Sequence, residues 1–268
     1  MGGKILFGWA PDWQAGLLRA AAGLGLEAHV ARLEDARPEG FDAVVPLALP
    51  DQAVVDRWRA EGHAVPAVVV PPAVRDLCHD KLALNRALAR HGFARRLPAE
   101  LDAANPALPA VFKARRAAWG RGVRILTTPE ALEEVRGALT AGTGFLQAFV
   151  PGDEEYAVHL LRQNGQTLFR RAIHYRMAGP GLVKGTAAAP VTRTWLPQVP
   201  FAPLWDRIAG AIGLTDGTAC FDFRLTPEGP VLFEINPRIG GSLTQRARPY
   251  LKAYLRAVGA GACLPAAD

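Results

Sequence analysis

Residues 219 to 238 read Ala-Cys-Phe-Asp-Phe-Arg-Leu-Thr-Pro-Glu-Gly-Pro-Val-Leu-Phe-Glu-Ile-Asn-Pro-Arg, two short apolar runs split by a turn, with acids where a buried hairpin should have none. Phe221 and Phe223 alternate with Asp222 and Arg224, and Val231, Phe233 and Ile235 alternate with Glu234 and Asn236, a period of two on both sides. Each strand therefore has one apolar face and one chemical face. Pro227-Glu228-Gly229 suits a three-residue hairpin loop, because proline presets the first turn position and glycine accepts a left-handed third one. A loop centred on Glu228 places Asp222 opposite Glu234.

Like charges directly opposed across a sheet repel, so this acid pair calls for a cation between them. Glu234 and Asn236 project from one side of their strand, and three oxygen-bearing side chains converge with no Cys or His. A few hard oxygen ligands suit Mg²⁺, with Mn²⁺ as a substitute, since such an ion keeps waters and takes its other ligands from substrate phosphates. Arg238, two residues on, would face the same anion. The competing reading is an edge hairpin whose acids point into water.

The chain has 268 residues, half of them hydrophobic and a fifth charged, as in ordinary globular proteins with a substantial core. No apolar run reaches the length of a membrane span, and Met-Gly-Gly-Lys-Ile-Leu-Phe lacks the layout of a signal peptide, so the expectation is a cytoplasmic protein without membrane partners. Cys78, Cys220 and Cys263 are far apart and form no CxxC, so reduced thiols are expected. The net charge of +6 is mostly arginine, without basic runs interleaved with aromatics, which favours anionic small molecules over nucleic acid.

From the N-terminus, apolar runs at Lys4 to Ala10, Ala28 to Leu33, Phe41 to Leu49 and Val65 to Val70 alternate with helical patterns at Gln14 to Leu26 and Asp51 to Gly62. Strands separated by helices imply parallel pairing, so residues 1–73 read as an open α/β domain. Its first strand is not followed by GxGxxG, which removes the usual reason to expect a dinucleotide. Residues 74 to 91 read as one helix carrying Asp80-Lys81. Ala110-Val111-Phe112-Lys113 is a strand, followed by a basic loop with Gly120 and Gly122 and a second strand at Val123 to Thr127. Glycines there let backbone N–H groups approach a phosphate. Pro129 to Ala141 is a helix capped by Thr128. Val158 to Leu161, Thr167 to Tyr175 and Val191 to Trp195 are strands, Met177 to Ala189 a Gly- and Ala-rich loop, Phe201 to Leu214 an amphipathic helix, and Gly240-Gly241-Ser242 the start of a helix through Ala257.

Asp-x-Arg followed by an apolar strand ending in Glu-x-Asn-Pro-Arg resembles the magnesium-binding end of the ATP-grasp superfamily, and the resemblance covers about residues 75 to 250. It implies an α/β fold with α+β lobes: a pre-ATP-grasp domain at 1–73, a first lobe with the glycine loop at 74–149 and a second lobe with the magnesium site at 150–268. By resemblance, Asp222, Glu234 and Asn236 are metal ligands. Lys81, Lys113, Gly120 and Gly122 meet the phosphates of ATP. Gln147, Ala148 and Val150 meet the adenine, Gln147 standing where many members have Glu, and Glu155 holds the ribose, with Glu154 close behind. Arg238, Lys113 and Gly241 serve the reaction, and Arg176, Lys184, Ser242 and Arg246 are the candidates for substrate recognition, with His174 a lesser catalytic candidate.

The activity so implied is ATP-dependent joining of a carboxylate to an amine through an acyl phosphate, releasing ADP and phosphate. The small-molecule partners would be an amino acid or small peptide, and a homo-oligomer is compatible. The rival readings are a non-catalytic ATP-binding sensor or subunit and a small-molecule phosphotransferase.

Overall fold

A computed structural model describes residues 2–117, 122–179 and 190–264. The N-terminal part runs β1 (Lys4–Phe7), α1 (Pro11–Ala22), β2 (Glu27–Val30), β3 (Ala43–Val45) and α2 (Leu49–Ala60), with a parallel sheet in the order β2-β1-β3. Trp13, Leu17, Ala20 and Ala21 bury one stripe of α1 at helical spacing, while Leu18 faces water. Pro11, which follows the first apolar run, occupies the first helical position, where its missing N–H costs nothing.

The apolar run Val65 to Val70 does not become a fourth strand. Val44 N–H donates to the Pro66 carbonyl at 2.9 Å, but Ala67 N–H turns back to the Val65 carbonyl at 2.9 Å, Val68 N–H meets the Tyr254 hydroxyl at 2.9 Å and Val70 N–H meets Gln52 Oε1 at 2.9 Å. Side-chain acceptors thus replace the ladder, so the segment is buried and extended but unpaired as a strand.

The helix expected over residues 74 to 91 is two helices, α3 (Pro72–His79) and α4 (Lys81–Leu88). They break at Asp80, which takes an extended conformation and accepts a hydrogen bond from Ala83 N–H at 3.1 Å. Asp80 therefore caps α4 rather than riding inside a longer helix.

Next come β4 (Glu100–Leu101), β5 (Ala110–Ala114), β6 (Val123–Leu126), α5 (Pro129–Thr140) and β7 (Gly144–Ala148), an antiparallel sheet in the order β4-β7-β5-β6 backed by α5. Then follow β8 (Glu154–Gln163), β9 (Gln166–Arg176), β10 (Thr192–Trp195), α6 (Ala202–Ala211), β11 (Gly217–Thr226) and β12 (Gly229–Asn236), a second antiparallel sheet in the order β10-β9-β8-β11-β12. Phe221, Phe223, Leu232 and Ile235 fill the core between this sheet and α3, α4 and α6, stacking around Trp205.

The hairpin β11–β12 opposes Asp222 to Glu234 as expected, by a different route. Thr226 pairs with Gly229, so Pro227 and Glu228 alone form the turn, and the register would then be one residue off. A β-bulge between Asp222 and Phe223 restores it by leaving Phe233 without a partner. Phe233 consequently leaves the core face, contrary to the simple alternation, and Leu232 takes its place. Gly229 has φ 111°, the left-handed region that this tight turn requires.

After β12 the chain does not run as one helix to Ala257. A 3₁₀ segment over Gly241–Arg246 precedes α7 (Arg248–Ala257). The buried face of α7, Leu251, Tyr254 and Leu255, joins Ile5, Phe7 and Leu17 in one core, so the C-terminal helix completes the N-terminal sheet. No helix among the described residues is long and apolar enough to cross a membrane.

Candidate active site

The four-stranded sheet and the β11–β12 edge face each other across a slot of about 90 Å³. Its walls are Pro98, Val111, Val123, Ile125, Phe149 and Phe233, with Lys113, Gln147, Glu155, Asp222, Arg224 and Glu234 as its polar groups. Alternation on β5 places Val111 and Lys113 on the slot side and Phe112 in the core under α5.

At one end of the slot Asp222, Glu234 and Asn236 converge. Asn236 Nδ2 donates to Asp222 Oδ2 at 3.1 Å and to Glu234 Oε1 at 2.9 Å, so a carboxamide sits between the opposed acids. Its Oδ1 accepts from Arg238 Nη2 at 3.2 Å. Among the described residues no three His, Cys, Asp or Glu side chains cluster, and this group of two carboxylates and a carboxamide is the candidate for a hard cation. The donor set fits Mg²⁺, because two opposed carboxylates and a carboxamide offer hard oxygens on one face of the hairpin.

Two lysines approach the same cluster. Lys81 is buried at the first position of α4, with Nζ bonded to the Ala117 carbonyl and 3.9 Å from Glu234 Oε2. Lys113 Nζ donates to the Phe233 carbonyl at 3.0 Å, taking an acceptor on the bulged residue, and lies 5.6 Å from the Phe233 ring centroid. Burial pushes the Lys113 ammonium down to about 8, and the neighbouring Lys81 acts in the same direction against Glu234.

Gln147 is buried at the far end, its Nε2 bonded to the Pro98 carbonyl at 3.3 Å and its Oε1 without a hydrogen-bond partner. A buried acceptor left open in a slot is a place for a ligand's N–H. Glu155 lines the slot and Glu154 does not. Glu155 Oε1 takes Arg224 Nη2 at 2.9 Å, while Glu154 pairs with Arg176 at 2.9 Å and lies 3.6 Å from His174. The Ala148 N–H is already used by the Ala99 carbonyl at 2.8 Å, and the Val150 carbonyl accepts from Arg224, which narrows what these two residues offer a base.

Several expected residues fall elsewhere. Arg176 is held by Glu154 and lines neither the slot nor the cavity described below, and Arg246 is exposed and lines neither. His174 stacks on Tyr156, 4.7 Å between ring centroids, away from the acid cluster's lining. Arg115 and Arg116 turn to Asp80, whose carboxyl is held low chiefly by its hydrogen bonds from Arg115, so their charge is not spent on the slot. Gly122 closes its loop, φ 73°, with its carbonyl on Ala114 N–H, and a Cβ there would strike Ala114. Gly120, Arg121 and Lys184 lie outside the described residues.

A second cavity of about 560 Å³ opens on the other side of Glu234. It is lined by Leu49, Pro50 and Ala53 of α2, by Arg75, Asp76, Cys78 and His79 of α3, and by Lys81 and Asn236 to Arg238. Arg238 lies over the Trp13 ring at 5.6 Å and donates to the Ile239 carbonyl at 2.8 Å. Gln52 ties this corner to the N-terminal domain, its Nε2 on the Pro237 carbonyl at 2.6 Å and its Oε1 on Val70 N–H. Gly241 packs so close to Trp13 that a Cβ would collide with it, and Ser242 Oγ bonds His159 Nε2 at 3.0 Å. Neither Gly241 nor Ser242 lines the cavity.

Sequence reasoning missed Arg224, Phe233, Gln52 and Arg75. Arg224 had a signal, its spacing of two from Asp222. Phe233 had none, because only the bulge turns it into the slot.

No family model matches the chain, and no curated protein matches it in sequence. In structure it is similar to D-alanine-D-alanine ligase from Bacillus anthracis, at 14% identity and a TM-score of 0.64 over 97% of this chain and 95% of that one. It is similar to L-amino acid ligase from Bacillus licheniformis at 19% identity, TM-score 0.62, over 97% of this chain and 74% of that one. Biotin carboxylase from Campylobacter jejuni aligns at 15% identity and a TM-score of 0.65, over 100% of this chain and 72% of that one.

Proposed function

We propose, from the ATP-grasp fold that this chain carries, that it joins a carboxylate to an amine at the expense of ATP. The observation that carries this reading is the position of Glu234, which lines both the slot and the cavity, so that a triphosphate tail from one would meet a small acid in the other. Gln147 Oε1 would accept from the adenine amino group, and Glu155 would take the ribose hydroxyls. Asp222, Glu234 and Asn236 would hold Mg²⁺, whose contribution is to offset charge on the phosphates.

The residues then have separable tasks. Lys81 and Lys113 bring positive charge to the phosphates from two sides, and Arg238 faces the γ-phosphoryl from the cavity. A substrate carboxylate oxygen attacks the γ-phosphorus, the bond to the β–γ bridging oxygen breaks, and ADP leaves with that electron pair. The acyl phosphate is next attacked by an amine nitrogen. Its carbon–oxygen bond to phosphate breaks, and phosphate departs with that electron pair and takes up the amine proton. No protein nucleophile is needed, and the apolar walls serve to keep water from the acyl phosphate. An amino acid or small peptide matches the mixed charge of the cavity.

Screening amino acids in pairs for ADP release, with mass spectrometry of the product, tests the proposal. A product joining two acceptor molecules supports it. Product carrying a phosphoryl group, or thermal stabilisation by MgATP with no ADP released by any pair, would overturn it.

A further inference from the structure

α3 presents Pro72, Arg75, Asp76 and His79 to the second cavity, positions three, four and seven residues apart and so on one helical face. Val74 and Cys78 pack into the core beneath, Cys78 reaching the edge of the cavity as well, and burial pushes the Cys78 thiol up to about 12, which leaves it un-ionised and inert. The chemistry of this face is thus a cation, an acid and an imidazole set on a rigid helix that itself belongs to the cavity wall.

Arg75 is the unusual member. It is 8% exposed, and its Nη2 is paired to Asp56 of α2, which tethers one nitrogen of the guanidinium between two helices. Its Nη1 is buried with no hydrogen-bond partner. An arginine carries five donors, and a buried one left open is uncommon where nothing binds. An interhelical brace alone would need only the Asp56 contact. The donor that is left over, on a side chain lining a cavity of ordinary ligand size, points to a planar two-oxygen anion that completes the set after a small turn of the guanidinium.

We propose that Arg75 is the residue that selects the amine substrate, by holding the α-carboxylate of an amino acid whose amine attacks the acyl phosphate. Asp76, on the same cavity wall, meets the ammonium, so both charges of a zwitterion find an opposite partner. The carboxylate that is phosphorylated belongs at Glu234 and Arg238, and Arg75 is kept for one that does not react. This assignment rests on the ligase reading for the order of events, but the binding it requires stands apart from turnover.

The experiment measures thermal shifts of the full chain in MgADP with each of the twenty L-amino acids, and with the α-amide of every one that stabilises. At least one amino acid should raise the melting temperature, its α-amide should not, and Arg75→Gln should abolish the shift while leaving that of MgADP alone unchanged. Arg75→Lys, which keeps the charge and loses the fork, should weaken the apparent affinity roughly tenfold. An α-amide as effective as the acid, an undiminished shift in Arg75→Gln, or no shift from any amino acid would overturn the assignment. Should Arg75→Gln fail to fold, the comparison of acid with amide on the unaltered protein decides alone. Binding through Arg75 without ADP release would sink the ligase reading and leave this one standing, whereas ADP release indifferent to Arg75→Gln would do the reverse.

Discussion

The slot and the cavity share Glu234 as a wall, yet they are built from different material. The slot lies between two sheets, whose side chains alternate in flat rows, and most of its apolar residues come from strands, Val111 of β5, Val123 and Ile125 of β6 and Phe233 of β12, with Pro98 and Phe149 at its rim. The cavity is walled by α2, α3 and the loop after β12, and its lining follows helical spacing. Flat rows of Val, Ile and Phe suit a planar ring and tolerate little variation in shape. A helical stripe can exchange one charged residue without moving the others, so on the proposed reading one nucleotide slot can serve substrates of many kinds by altering helices alone.

Glu234→Gln should be the most damaging change, because among the described residues it alone lines both spaces. ADP release should fall at least about a hundredfold, with Mg²⁺-dependent ATP binding lost as well, measured by isothermal titration. If only one of the two is lost, the spaces do not communicate through this carboxylate. Lys113→Met should act on the slot alone, lowering turnover by about a hundredfold while amino acid binding in the cavity persists.

Lys113 also gives a pH signature in the metal-free protein. Its folded value of about 8 lies below the ordinary 10.5, so between these values the unfolded chain binds more protons and stability from this group rises with pH. Denaturant titrations of wild type should show that rise, and Lys113→Met should remove it.

Gln147→Leu should raise the KM for ATP roughly tenfold, the loss of one hydrogen bond to an open buried acceptor, and should reduce the preference for ATP over GTP. Gln52→Leu is the mildest and the mirror image. It should leave ATP binding unchanged, raise the KM of the cavity's substrate a few-fold through Pro237 and Arg238, and cost about 1–3 kcal/mol in stability, read by chemical denaturation.

The same contrast explains what could be read from the chain. Period-two alternation and the turn between the two runs placed Asp222, Glu234 and Asn236 together, because a strand fixes its side chains two by two, while Lys113 was supplied by the resemblance alone. The turn was read one residue too long, and the opposition of the acids still held because a bulge compensates. Arg176 was expected at the substrate from its alternation with apolar residues and Arg246 from the resemblance, and neither reports which acid lies closer: Glu154 holds the first, and the second faces solvent. Gln52 and Arg75 were illegible. Their roles depend on contacts with Pro237 and Asp56, and the first of these lies 185 residues away along the chain.

Tyr254 donates its hydroxyl to the Val44 carbonyl at 2.7 Å and receives Val68 N–H, from a helix that ends at Ala257. A ribosome finishes β1, β3 and the 65–70 segment long before it makes that helix. At about 5–20 residues per second, the first sheet waits on the order of ten to forty seconds for the ring that closes it. Over that interval the core around Ile5, Phe7 and Leu17 lacks Leu251, Tyr254 and Leu255, and a truncation just ahead of α7 would leave it without them permanently.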